Sequence, residues 1–156
     1  MKSLIVYHSE TGNTKRVAEY IHEKSDSDIL ELKPGKKYSK IGMYTSGLKR
    51  AVMQQKEDID ISEIDLSAYD AIVIGTPVWG GHPTPAINAG LEIIKGGTGR
   101  KAVVFATYRG SEGETLNILR KRLEESGMDV LGAYGFSEKD TKDSGKIDVM
   151  IEETGL

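Results

Sequence analysis

The residues best equipped for chemistry sit near the start of the chain, in Ser9-Glu10-Thr11-Gly12-Asn13-Thr14. Hydroxyls at 9, 11 and 14 and the Asn13 amide can all donate hydrogen bonds. An apolar β run, Leu4 to Tyr7, leads into them, and a helical pattern with Val17, Ala18 and Ile21 on one face leads out. Thr11, Asn13 and Thr14 suit a helix start. Gly12 lets the backbone turn where a side chain would clash. A strand, a hydroxyl-rich turn and a helix N-terminus make an anion site. The first N–H groups of a helix have no internal partner, and the positive end of the dipole lies there. A phosphate fits such a place without a lysine or arginine beneath it. The plainer alternative is a simple helix cap with incidental polar neighbours.

Two further loops carry candidate residues. Thr76-Pro77-Val78-Trp79-Gly80-Gly81-His82-Pro83 follows the apolar run Ala71 to Gly75. Trp79 is the only tryptophan, and it lies in a Pro/Gly-rich loop rather than on an apolar face. Its indole suits stacking on a flat aromatic ligand, with core burial as the alternative. Thr107-Tyr108-Arg109-Gly110-Ser111-Glu112-Gly113 follows the apolar run Lys101 to Thr107. Tyr108 is either a second stacking residue or a loop tyrosine covering the sheet end.

The elements that position these loops alternate. Strands are predicted over Leu4–Tyr7, Asp28–Leu32, Ala71–Gly75, Lys101–Thr107 and Met128–Phe136. Val130, Leu131 and Tyr134 mark the fifth. Helices are predicted from the end of the Ser9–Thr14 turn toward Lys24, from about Ser46 to Lys56, from about Thr84 or Pro85 to Lys95 and from about Glu112 to Ser126, with a short last one around Ile147, Met150 and Ile151. Asp65 to Asp70 reads as a turn. The middle strands are apolar on both faces, as buried parallel strands should be. The alternation implies an α/β fold: a doubly wound, five-stranded parallel sheet, order 2-1-3-4-5, with helices on both faces. In that order the first and third strands flank the switch point, where ligands bind.

Composition removes other classes. The 156 residues suit one domain, 1–156, and 21 basic against 24 acidic residues give a net charge of −3. With no basic cluster, nucleic acid is not an expected partner. There is no cysteine, which excludes disulfides and thiolate chemistry. Apolar runs of about five residues fall far short of the ~20 that span a bilayer. No signal-peptide pattern follows Met1-Lys2, so the expected compartment is the cytoplasm. His8, His22 and His82 lack metal-ligand spacing, although His82 could donate to a ligand near Trp79. There is no Walker lysine and no G-x-S-x-G. The GxGxxA string from Gly97 to Ala102 precedes a strand instead of following one, so it does not read as a dinucleotide site.

Ser-x-Thr-Gly-Asn-Thr after an N-terminal strand resembles the phosphate loop of the flavodoxin family, which binds flavin mononucleotide (FMN). Ser9, Thr11, Gly12, Asn13 and Thr14 match it one by one, with Glu10 between them. The resemblance implies that Thr76, Pro77, Val78, Trp79 and Gly80 form the second flavin loop. Trp79 would pack on one ring face, and the Gly80 peptide could turn its carbonyl to a ring nitrogen. A looser match gives Thr107, Tyr108, Gly110 and Gly113 to the third loop, with Tyr108, or a residue of the 35–61 connection such as Tyr38, Tyr44 or Ser46, over the outer face. A cation at Arg109 near the ring would raise its potential. The implied function is low-potential electron transfer, moving single electrons between redox partner proteins, a reductase and an acceptor. The chain would be a carrier more than an enzyme, and a monomer or weak dimer. The alternative is an FMN-dependent NAD(P)H or quinone oxidoreductase of the same fold. A response-regulator domain is disfavoured, because the third strand ends Gly75-Thr76-Pro77 and not in aspartate.

Overall fold

The computed structural model describes residues 1–34 and 59–156. The expected helix over Ser46–Lys56, and Tyr38, Tyr44 and Ser46, lie outside the described residues. Five parallel strands form the main sheet: β1 (Ser3–Tyr7), β2 (Ser27–Glu31), β4 (Ala71–Pro77), β6 (Lys101–Tyr108) and β7 (Asp129–Ser137). Their order is β2-β1-β4-β6-β7. Counting only these strands, that is 2-1-3-4-5, as the alternation of the sequence implies. A two-residue pair, β3 (Ile64–Asp65) and β5 (Ile94–Lys95), forms a separate small sheet.

Period-two alternation divides the core. Leu4, Val6, Ile72, Ile74 and Val104 face one side, where they meet Ile87 of α2 (Pro85–Glu92) and Leu119 and Leu123 of α3 (Thr115–Glu125). Ile5, Tyr7, Val73, Val103 and Phe105 face the other. There they meet Val17, Ala18 and Ile21 of α1 (Asn13–Lys24) and Ile147 and Met150 of α4 (Gly145–Thr154). Ile5, Ile72, Val73 and Phe105 are wholly buried. Each such side chain contributes about 1.5–3 kcal/mol relative to exposure. That burial on both faces fixes β1 and β4 at the centre, with their C-terminal loops side by side.

Three details depart from the sequence expectation. The third helix stops at Glu92 instead of Lys95. Ile93 N–H turns back to the Gly90 carbonyl, and the backbone of 93–95 pairs with 64–66. Asp65 therefore starts in a strand, not a turn. The fourth helix begins at Thr115 rather than Glu112, because Ser111–Gly113 are held in a loop. Leu131 is 38% exposed. The register slips there, with Ala102 opposite Val130 but Val103 opposite Gly132, so Leu131 is the extra residue of a bulge and points outward.

Gly75 lies under the Phe105 ring, and a methyl group there would come within 2.2 Å of the ring edge. Phe105 is fully buried and has nowhere to go. Gly75→Ala is expected to lower stability by about 1–3 kcal/mol, read as a lower denaturant midpoint in chemical unfolding. An unchanged midpoint would show that this layer of the sheet is not tightly packed.

Candidate functional site

The loop Ser9–Thr14 leaves β1 at its carboxyl end and enters α1. His8 still follows the strand, its N–H donating to the Gly75 carbonyl at 3.2 Å. Gly12 takes φ +94°, a left-handed conformation that brings the chain round into the helix, with open space where a Cβ would stand. Ser9 Oγ accepts the N–H groups of Gly12 and Lys15, each at 3.2 Å. The N–H groups of Thr11, Asn13 and Thr14 have no acceptor among the described residues. The hydroxyl of Ser9 keeps its proton to donate, as does that of the exposed Thr11. The Asn13 amide oxygen is occupied by Arg16 at 3.1 Å. Unpaired donors at a positive helix end suit a phosphate monoester: the ligand's oxygens accept, and its charge matches the dipole.

Glu10 contributes backbone to this loop, but its carboxylate turns back to His8 Nε2 at 3.4 Å. Tyr7, one residue earlier, stays neutral at physiological pH. Burial, with Glu31 and Glu19 nearby, pushes its phenol up to about 12.

The second loop is a tight turn. Trp79 and His82 exchange backbone hydrogen bonds at 3.0 and 3.1 Å around Gly80 (φ +59°) and Gly81 (φ +77°). His82 Nδ1 donates to the exposed Gly80 carbonyl at 2.7 Å. Trp79 is only 6% exposed, with its ring edge-on to His8 at 5.8 Å. Its indole is thus a buried wall of the pole and not a free flap. Thr76 is buried, donating to the Pro77 carbonyl at 2.8 Å and accepting Thr84 N–H at 3.3 Å.

The third loop is tied to the other two. Thr14 and Thr107 share a buried hydroxyl–hydroxyl bond of 2.7 Å, and Val78 N–H donates to the Thr107 carbonyl at 3.0 Å. Glu114 N–H donates to the Gly81 carbonyl at 2.9 Å. A methyl group on Gly113 would stand 2.5 Å from Gly81 Cα, so the two backbones touch there and Gly113 acts as a buttress. The Tyr108 ring is half-buried against Gly135 of β7. Gly110 is exposed with open space above it. Arg109 is 70% exposed and pairs with Glu138 at 3.7 Å.

The structure therefore gathers the three loops at one pole of the sheet. Two residues, His8 and Thr84, take a part here that their local sequence does not show. His8 is buried, and its partner Thr84 stands 76 positions away, beyond any local pattern. The visible signal was Thr84 itself, a helix-start residue before Pro85. Among the described residues no group of acidic or histidine side chains could hold a metal, and no helix is long and apolar enough to cross a membrane.

A family model described as flavodoxin matches residues 2–131. Among curated proteins none matches the sequence. A solved protein from Bacteroides eggerthii is 22% identical, with TM-score 0.78, covering 99% of this chain and 98% of that one. A flavoprotein from Lactobacillus acidophilus, solved in complex with FMN, is 24% identical, with TM-score 0.70, over 95% and 97%. The two-electron reduced flavodoxin of Megasphaera elsdenii is 16% identical, with TM-score 0.64, over 99% of each chain. At these identities the solved structures carry the fold alone.

The contact between Gly81 and Gly113 gives a direct test of how the pole is braced. Gly113→Ala adds a methyl where there is no room and where φ is +53°. It is expected to cost about 1–3 kcal/mol in stability and to red-shift the emission of Trp79 as the turn is pushed outward. An unshifted spectrum would mean that the two loops are not coupled.

Proposed function

The chain belongs to the flavodoxin family, and on that footing we propose that it binds FMN at this pole and carries single electrons between redox proteins. One observation carries the reading: the unpaired N–H groups of Thr11, Asn13 and Thr14 at the positive end of α1, beside the Ser9 and Thr11 hydroxyls. They meet the needs of the cofactor's phosphate. When bound, FMN supplies the reversible one- and two-electron chemistry of its ring. The protein's part is to bind, orient and bias.

In this account the phosphate rests on Ser9 to Thr14, with Glu10 and Gly12 contributing backbone. Thr76 to Gly80 and Thr107 to Gly110 hold the ring. Trp79, braced by His8, gives a rigid wall, and Gly113 supports the turn from behind. The exposed Gly80 carbonyl is the polar group of the second loop best placed to meet a ring nitrogen, and His82 is its present partner. Arg109 is 70% exposed and lies 3.7 Å from Glu138, so water and that carboxylate screen its charge. A cation held unscreened near the ring would stabilise the reduced anion and raise the potential. Electrons would pass to a reductase and an acceptor docked at the same pole.

Anaerobic reductive titration of the FMN-loaded protein tests this. Two resolved one-electron waves, with no steady-state oxidation of NADH or NADPH by the protein alone, are the expected result. A single two-electron wave with NAD(P)H turnover would make it an FMN-dependent NAD(P)H or quinone oxidoreductase instead. Failure to take up FMN would overturn the binding reading altogether.

A further inference from the structure

Thr84 stands at the N-cap of α2, yet its hydroxyl does not cap that helix. It lies 2.8 Å from His8 Nδ1. His8 is 1% exposed, and its Nε2 faces Glu10 Oε1 at 3.4 Å. The Trp79 ring closes the third side, its plane 75° to the imidazole. An ionised carboxylate only accepts, so Nε2 carries its proton in this contact, and in the neutral ring the Thr84 hydroxyl donates to Nδ1. The histidine thus joins three elements: the loop after β1, the turn after β4 and the start of α2.

Glu10 is the sole carboxylate in the loop Ser9–Thr14. It has no proton to give a phosphate, and its charge repels one. Side-chain freedom at this position would let that charge approach the N–H groups of Thr11, Asn13 and Thr14. A buried donor fixed by Thr84 and Trp79 prevents this by giving the carboxylate a partner on the strand side of the loop.

We propose that His8 is a positioning residue that ties the Glu10 carboxylate back to the end of β1 and thereby sets how strongly the loop prefers a phosphorylated flavin. The proposal rests on the FMN reading above. It concerns the contrast between FMN and riboflavin, which share the ring and differ by the phosphate.

The test is a double-mutant cycle of His8→Phe and Glu10→Gln, with FMN and riboflavin affinities measured by quenching of flavin fluorescence. His8→Phe is expected to lower the FMN-to-riboflavin affinity ratio about tenfold, as loss of a hydrogen bond to a charged group would. In the Glu10→Gln background the same change should leave the ratio within about twofold, because no charge remains to be released. Loss of both affinities alike, or the same fall in both backgrounds, would assign His8 a packing role and overturn the proposal. Imidazole nitrogen NMR needs no change at His8: FMN should move the Nε2 resonance further than riboflavin does, and Glu10→Gln should abolish the difference. Equal responses to the two flavins would also overturn it. A wild-type protein that prefers FMN, with a preference that His8→Phe leaves unchanged, refutes the inference alone, whereas one that binds both flavins equally, or neither, refutes the phosphate-loop reading beneath it.

Discussion

Three backbone N–H groups at the start of α1 have no acceptor among the described residues, and the strand order leaves their surroundings open. β1 lies between β2 and β4, so the connections leaving β1 and β4 diverge to opposite faces of the sheet. Their loops remain at the shared pole, and among the described residues no helix packs between them. A helix N-terminus placed there must satisfy its donors with water or with a ligand. The sheet core provides the rigidity: β1 and β4 are packed on both faces, so the donors are aimed before any ligand arrives.

Buried side-chain hydrogen bonds knit this pole together. Thr14 to Thr107 and Thr84 to His8 join residues distant in sequence, and Thr76 to Thr84 closes the second loop onto the start of α2. In a low-dielectric setting such bonds are strong when made and costly when one partner is lost. Backbone contact at Gly81 and Gly113 completes the bracing. The three loops behave as one unit, which a cofactor with a phosphate at one end and a flat ring at the other requires.

Much of this was legible in the sequence, for physical reasons that differ by element. Strands β1, β4 and β6 announce themselves because burial on both faces demands unbroken apolar runs. The turn at Ser9–Thr14 is legible because hydroxyl residues and a glycine between an apolar run and an amphipathic pattern mark a helix start. The β3–β5 pair was hidden, since Ile93 and Ile94 extend the helical apolar pattern of α2, and only pairing with residues thirty positions earlier pulls them away. The bulge at Leu131 was equally hidden, and the burial of Trp79 stood only as the alternative to ligand stacking. A sheet register and a tertiary partner decide them, and a Pro/Gly-rich neighbourhood suggested an open tryptophan. His8 went unread for the same reason: its meaning lies in Thr84 and Trp79, not in its neighbours along the chain.

The most direct measurement is of the backbone amides themselves. Nitrogen–proton correlation spectra of the apoprotein, titrated first with riboflavin and then with FMN, report each N–H separately. The account predicts that FMN alone shifts Thr11, Asn13 and Thr14 strongly, while both flavins shift Trp79 and Gly80. Amides at 9–14 that stay still while FMN binds, or shifts centred on the opposite end of the sheet, would contradict the central claim that this helix start holds the phosphate.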